Sequence, residues 1–96
     1  MSAKVIFEFR FKATSLEDGL AELATILVDT RKFNGCLGVE VVRDVNDSEH
    51  FVLVESWEST EDYKAYSTWR AGDGKTNLGS FFAGPPSITI YEVTQV

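Results

Sequence analysis

Apolar and polar residues alternate strictly over residues 4–11, which is the period of a half-buried β-strand. Four apolar side chains share one side of this strand: Val5, Phe7, Phe9 and Phe11. We expect this side to form the floor of the core beneath the helices, because phenylalanine side chains bury large apolar areas. The opposite side carries Glu8 and Arg10 and is expected to face a wetter layer, such as the sheet of a second subunit.

An amphipathic helix is predicted to begin at Ser15, which has the spacing of a capping box with Asp18. Apolar residues then recur on one helical face: Leu16, Leu20, Leu23, Ala24 and Leu27. The helix is predicted to end near residues 31–32, where basic side chains complement the helix dipole, just before Asn34 and Gly35. The apolar face is interpreted as part of the core.

Two segments rich in β-branched residues, residues 37–45 and 50–58, flank an Asn-Asp-Ser turn and predict a β-hairpin. One face of the later strand carries every second residue: Phe51, Leu53, Glu55 and Trp57. Its other face carries Val52 and Val54 and is also apolar. Two apolar faces are expected if helices cover one and the sheet of another subunit covers the other.

A second helix is predicted to begin at Ser59, which has capping-box spacing with Asp62, and to end at Gly72. It is short and aromatic, and one face has Tyr63, Tyr66 and either Trp69 or Arg70 within reach. Residues 78–83 predict one further helical turn. A final alternating strand is predicted over residues 87–96.

The resulting order of elements, β-α-β-β-α-β, is that of the ferredoxin-like or split βαβ arrangement. It predicts an α+β fold in which two helices cover one face of a four-stranded antiparallel sheet. We expect a single domain over residues 1–96, since this length and the 44% content of hydrophobic residues suit one core. A homodimer in which two sheets face each other is expected to cover the second sheet face.

The charge balance narrows the range of partners. A formal net charge of −6 repels phosphate backbones and anionic lipid surfaces, so neither nucleic acid nor a membrane is expected as a partner. The sequence has no apolar run of about eighteen residues to span a membrane, and its first residues lack the pattern of a secretory signal. A cytoplasmic location is therefore expected.

Metal and thiol chemistry find little support in the composition. The one cysteine, Cys36, cannot close a disulfide within the chain, and one Cys with one His is too few for a structural zinc site. Acidic residues around the hairpin turn, including Asp44 and Asp47, lack the spacing of a calcium loop. We therefore expect no metal, and we interpret His50 as a solvent-exposed residue rather than a catalytic base.

Residues 35–69 combine a Gly-Cys-Leu entry, a strand-turn-strand unit, a Glu-Ser-Trp-Glu-Ser exit and a short helix. This combination resembles the antibiotic biosynthesis monooxygenase family of the dimeric α/β-barrel superfamily. The resemblance rests on these residues at their spacings: Gly35, Cys36, Leu37, Glu40, Asp44, Phe51, Leu53, Glu55, Trp57, Glu58, Ser59 and Ala65. It implies a dimer in which each subunit has a pocket between its sheet and its helices. Family members include cofactor-independent oxygenases of aromatic polyketide-like or quinol substrates, haem-degrading enzymes, an isomerase of a sugar-like signal and proteins with no assigned activity.

The same resemblance assigns candidate pocket residues. Trp57 matches the tryptophan at the end of the third strand that lies in the substrate pocket of the oxygenases. Leu53 stands where those oxygenases have an asparagine, and Tyr66 stands where many family members have a histidine. No histidine follows His50, so the iron ligand of the haem-degrading branch has no counterpart and no cofactor is expected.

Six aromatic residues are the candidate site residues. Tyr66 is the candidate catalytic residue, since a phenol that faces a cavity can donate a hydrogen bond to a substrate oxygen. Five more are predicted to bind the substrate: Trp57, Trp69, Tyr63, Phe81 and Phe82. Packing in the core is the alternative for this aromatic group, because pockets and cores use the same apolar side chains. Glu55 is expected to pair with Arg43 or Arg10 in a dimer rather than to act as a general acid.

Three functions stay open. The first is a cofactor-independent monooxygenase of a small aromatic phenol or quinol-like molecule, which serves as its own reductant because no flavin, nicotinamide or metal motif is present. The second is a non-catalytic small-molecule binding module, which the missing asparagine and histidine favour. The third is another small-metabolite enzyme of the superfamily, such as an isomerase.

Overall fold

The structure, a computed structural model, describes the whole chain, residues 1–96. Strands and helices follow one another as β1 Ala3–Arg10, α1 Leu16–Lys32, β2 Cys36–Arg43, β3 His50–Trp57, α2 Thr60–Ala71 and β4 Ser87–Glu92. Short 3-10 helical turns at Ala13–Ser15 and Leu78–Phe81 precede α1 and β4. The predicted order of elements and the predicted α+β ferredoxin-like fold are therefore confirmed.

The strands form one four-stranded antiparallel sheet in the order β2-β3-β1-β4, so β1 and β3 lie at its centre. The register places Val5 of β1 opposite Glu55 of β3 on one side and opposite Ile90 of β4 on the other. The sheet remains open and does not close into a barrel within the chain.

The alternation of side chains along β1 determines which sheet face the helices cover, because successive side chains point to opposite faces of a strand. Val5, Phe9 and Phe11 are buried on the covered face, as their spacing predicts. The main core cluster has ten buried residues: Phe9, Phe11, Leu23, Ile26, Leu27, Val39, Phe51, Leu53, Leu78 and Phe82. A smaller cluster joins the sheet to α2 and contains Ala3, Val5, Trp57 and Tyr63.

The start and the orientation of α1 differ from the prediction. Ser15 is the last residue of a 3-10 turn, and its side chain makes no capping hydrogen bond. Ala24, which was predicted on the apolar face, is exposed, whereas Ile26 and Thr30 are buried. The helix is rotated toward its Gly19 side, where a Cβ atom would overlap the ring of Phe11. Gly19 thus lets α1 approach the sheet closely.

Helix α2 has the predicted cap. The Ser59 hydroxyl accepts a hydrogen bond from the backbone N–H of Asp62 at 3.1 Å, which satisfies one of the free donors at the helix start. Gly72 follows the last helical residue, and its N–H donates to the carbonyl of Trp69.

Neither α1 nor α2 combines the length and the apolar character that a bilayer-spanning helix requires.

Two strands, β2 and β4, end clearly before the predicted residues 45 and 96. β2 ends at Arg43 because the Asp44 carboxylate accepts a hydrogen bond from the backbone N–H of Asn46 at 2.8 Å and so begins the turn. β4 ends at Glu92, which pairs with Ala3 at the start of β1, so the chain beyond it runs past the end of its neighbour.

The second face of the sheet has no helices over it. Its centre is apolar and partly exposed, with Ile6, Val52 and Val54 side by side on β1 and β3. One end of this face carries ion pairs: Arg10 with Asp47 and Glu49, and His50 with Glu8 and Asp44. The second face is therefore an apolar strip that is bordered at one end by charged groups.

Candidate functional site

A cavity of about 210 Å³ lies between the covered face of the sheet and the two helices. Ten of its fifteen lining residues are hydrophobic. The inner wall is formed by the partly buried Phe7 and by these buried residues: Leu23, Ile26, Leu27, Leu53, Glu55, Tyr63, Leu78 and Phe82. Ser67, Thr76, Gly79 and Ile88 also line the cavity and are exposed, so the mouth lies between α2, the second 3-10 turn and the edge strand β4.

Glu55 is the one carboxyl group in the cavity wall. Strand alternation places it on the covered face between Leu53 and Trp57, where its side chain is only 3% exposed. The Trp57 indole Nε1 donates a hydrogen bond to its Oε1 atom at 3.0 Å. Burial raises the pKa of Glu55, and the indole hydrogen bond offsets part of that rise.

The expected pairing of Glu55 with Arg43 or Arg10 is wrong. Arg10 lies on the opposite face of the sheet, where it binds Asp47. Arg43 lies further along β2, where its guanidinium carbon is 5.7 Å from the centre of the Phe51 ring. The strand alternation that buries Glu55 also takes it away from any partner on the second face.

Tyr66 contributes a hydroxyl group to the cavity wall from α2. This hydroxyl accepts a hydrogen bond from Nε of Arg70 at 2.8 Å and lies 2.8 Å from the Thr30 hydroxyl of α1. Arg70 also donates to the Thr30 hydroxyl and to the carbonyl of Ile26, both at 3.0 Å. The phenol of Tyr66 is thus held in place from both sides.

Arg70 is a free positive charge at the cavity. It lines the wall next to Tyr66 but forms no ion pair with any carboxylate of the chain. Its guanidinium carbon lies 4.5 Å from the centre of the Trp69 ring, which holds the side chain by a cation–π contact. An anionic oxygen in the cavity would therefore meet a positive charge and a phenol.

Tyr63 lies beside Glu55 in the buried part of the wall. Burial, together with the nearby Glu55 and Tyr66, raises the pKa of Tyr63 to about 12. This hydroxyl therefore keeps its proton at ordinary pH and serves as a hydrogen-bonding group rather than as a base.

The cavity brings together three of the six predicted site residues: Tyr63, Tyr66 and Phe82. Trp57 is fully buried behind the tyrosines, with ring centres 5.6 Å from Tyr63 and 5.1 Å from Tyr66. Trp69 faces a separate polar cleft between α1 and residues 73–77. Phe81 is partly buried against the main core cluster and does not line the cavity.

Two polar groups of the wall, Glu55 and Arg70, are not among the predicted site residues. Glu55 is an acid within an alternating apolar strand face, and that position is the signal that could have revealed a buried carboxyl group. Arg70 stands four residues after Tyr66, which is the spacing of neighbours on one helical face. The contributions of α1, such as Leu23 and Ile26, had no signal beyond ordinary core packing.

The arrangement combines a mainly apolar wall with a few polar side chains, which is typical of small-molecule sites. An apolar cavity of about 150 Å³ is large enough to bind benzene, so a cavity of about 210 Å³ accommodates a single substituted ring. The hydroxyl groups of such a ring can meet the polar side chains of Tyr66, Arg70 and Glu55, which line the same cavity. The structure contains no cluster of three or more His, Cys, Asp or Glu side chains arranged to hold a metal ion.

The fold and the cavity define a ferredoxin-like α+β domain with a mainly apolar cavity between its sheet and its helices. The family model described as antibiotic biosynthesis monooxygenase matches residues 2–70, which is more than half of the chain. The chain therefore belongs to the antibiotic biosynthesis monooxygenase family. No curated protein matches the sequence significantly.

Several solved structures share the fold over almost the whole chain. A conserved protein from Methanosarcina mazei Go1 has a TM-score of 0.85 and 16% identity, with 98% of this chain and 94% of that chain covered. SnoaB from Streptomyces nogalater, a cofactor-independent oxygenase in a mutant form, has a TM-score of 0.83 and 9% identity. The match covers 99% of this chain and 95% of that chain. Rv0793 from Mycobacterium tuberculosis has a TM-score of 0.79 and 19% identity. The match covers 100% of this chain and 98% of that chain. At these identities the likeness shows a shared fold.

Proposed function

We propose that this chain is a cofactor-independent monooxygenase that oxidises a small phenol or quinol-like substrate in the cavity between its sheet and helices. The observation that carries the proposal is a mainly apolar cavity in which the Tyr66 hydroxyl and the Arg70 guanidinium share one wall. Membership of the antibiotic biosynthesis monooxygenase family supports the reaction class. The shared fold of SnoaB, a cofactor-independent oxygenase, supports it further.

In this proposal Tyr66 and Arg70 bind the oxygen atom of the phenol. The positive charge of Arg70 stabilises the phenolate, and Tyr66 orients it by a hydrogen bond. Phe82 and the apolar residues of the wall hold the ring and exclude water. Trp57 supports the cavity from behind the tyrosines, and Trp69 fixes Arg70 by its cation–π contact.

The substrate itself supplies the electrons. Loss of the phenol proton gives an electron-rich phenolate, which transfers one electron to O₂. The resulting radical and superoxide then combine at a ring carbon that bears hydrogen. Loss of water from the hydroperoxide leaves a carbonyl group at that carbon, so the product is a quinone that has gained one oxygen atom and lost two hydrogen atoms. The second oxygen atom leaves as water, and the protein has only to bind, orient and move protons.

Oxygen consumption tests this proposal directly. The protein is mixed with a panel of hydroquinones and anthrone-like phenols, and the mass of each product is measured. We expect oxygen uptake above the rate without protein for single-ring hydroquinones, because the cavity volume matches one ring better than three fused rings. If no phenol of the panel increases oxygen uptake, the proposed reaction is wrong.

A non-catalytic binding module is the second candidate. Leu53 favours it, because this residue presents an apolar side chain to the cavity and brings no polar group to a bound ring or to O₂. The same phenols can be titrated under argon while the fluorescence of Trp57 and Trp69 is followed. Binding without oxygen uptake in air would favour the binding module over the enzyme.

A further inference from the structure

The cavity wall contains a carboxyl oxygen that no group of the chain binds. Trp57 donates to Oε1 of Glu55, and Oε2 makes no hydrogen bond. No fully enclosed side-chain oxygen or nitrogen of the chain lacks a hydrogen-bond partner, so Oε2 is not fully enclosed. Since Glu55 is 3% exposed and lines the cavity, this small opening leads into the cavity.

We propose that Glu55 accepts the proton of the phenol that binds in this cavity. The occupied site then holds a phenolate and a protonated Glu55. This inference rests on the proposed function, because it names the base for the same substrate class. The carboxylate is positioned for the transfer by the Trp57 indole, which fixes Oε1 and leaves Oε2 toward the ligand.

The charge balance of the cavity couples the binding of a phenolate to the protonation of Glu55. A carboxylate and a phenolate in one apolar cavity repel each other strongly, because few polar groups are present to screen them. Arg70 can compensate only one negative charge. Binding of a phenolate therefore drives the uptake of one proton by Glu55.

Other groups near Glu55 do not change charge in mildly alkaline buffer. From α2, burial raises the pKa of Tyr63 to about 12, and the charged Arg70 also lines the cavity. From β2, burial raises the pKa of Cys36 above its usual value of 9.0. Arg31 of α1 lies near Cys36, and the residues that pair with Glu55 across the sheet, Val5 of β1 and Val39 of β2, carry no charge.

The probe for the test is nitrophenol, which is ionised in mildly alkaline buffer and is a poor reductant because of its nitro group. Its dissociation constant is measured between about pH 7.5 and 8.5, where a site that takes up one proton loses affinity by about tenfold per pH unit. Calorimetry in two buffers of different ionisation enthalpy counts the protons taken up. We expect one proton per bound nitrophenolate in the native chain.

Glu55→Gln keeps the size of the side chain and removes its proton uptake. We expect this variant to bind nitrophenolate with an affinity that does not change over this pH range. Glu58→Gln is the matched control, since Glu58 lies on the same segment but is exposed and outside the cavity. It should keep the proton uptake of the native chain. If Glu55→Gln does not fold, the number of protons taken up by the native chain on binding nitrophenolate still tests the proposal, because binding without proton uptake would contradict it.

Three results would overturn the assignment: no binding of nitrophenol, binding without proton uptake in the native chain, or proton uptake that persists in Glu55→Gln. The proposed function is judged separately by oxygen uptake with hydroquinones. Proton uptake that depends on Glu55, without oxidation of any phenol, would support the role of Glu55 and reject the oxygenase. If Glu55→Gln keeps both the oxygen uptake and the proton uptake of the native chain, the oxygenase is supported and the role of Glu55 is rejected.

Discussion

Tyr66 and Arg70 give the cavity its chemical character at the scale of single residues. Most of the wall is apolar, and these two side chains place a phenol and a positive charge together at one point. Thr30, which is 1% exposed, holds both of them by hydrogen bonds. A group that is positioned in this way before binding loses little entropy when it contacts the substrate.

Replacing Tyr66 by Phe keeps the ring and removes one hydroxyl group. We expect kcat/KM for an oxidised hydroquinone to fall by about fivefold or more, which corresponds to about 1 kcal/mol of transition-state stabilisation. Tyr91→Phe is the control, because Tyr91 is 52% exposed on β4 and does not line the cavity. Trp57→Ala should reduce kcat/KM more, since it removes support behind two tyrosines. Full activity of Tyr66→Phe would show that its assigned role is wrong.

The sequence predicted some site residues better than others. Tyr66 stood out because an aromatic residue on a short helix after Trp57 fits the family resemblance. Glu55 was predicted to pair with an arginine, since acids in apolar strands usually need a charged partner. Only the structure shows that its partner is an indole N–H and that a cavity lies beside it.

At the scale of the elements, two serines with the same capping-box spacing behave differently in the structure. Ser15 and Ser59 both precede an aspartate by three residues. Ser59 forms the cap, whereas the N–H of Ser15 donates to the carbonyl of Lys12 within a 3-10 turn. The difference comes from the tight connection after β1, where Phe11 pairs with Phe82. Sequence spacing alone does not contain this tertiary constraint.

Stability measurements should distinguish the two serines. Ser59→Ala removes a side-chain acceptor from the start of α2 and should lower the free energy of unfolding by about 1 kcal/mol. Ser15→Ala removes no capping hydrogen bond and should cost a small fraction of that. Urea denaturation of both variants measures the difference. Equal losses in the two variants would contradict the assigned caps.

At the scale of the whole molecule, the second face of the sheet is the main exposed feature. We propose that a second copy of the chain covers it, because Ile6, Val52 and Val54 form an apolar strip on a sheet that has helices on one side only. The order of elements predicted this bare face from the sequence, since two helices can cover only one side of the sheet.

Sedimentation should report twice the chain mass at micromolar concentration. Val54→Lys places a charge in the centre of the apolar strip and should shift the protein to monomers, because burying an unpaired charge is costly. Val45→Lys is the control, since Val45 lies at the hairpin tip and is 96% exposed. A native chain that is strictly monomeric, or equal behaviour of the two variants, would contradict the proposed dimer.

The central claim is that a small phenol is oxidised inside the cavity between the sheet and the helices. The most direct measurement follows heavy-isotope oxygen from O₂ into the product of a hydroquinone, with two variants of the edge strand compared. Ile88→Trp should fill the cavity mouth and abolish incorporation, whereas Ile90→Trp, on the same strand but outside the cavity, should retain it. We expect one labelled oxygen atom per product molecule in the native chain. Absence of label in the native chain, or equal incorporation by the two variants, would contradict the claim.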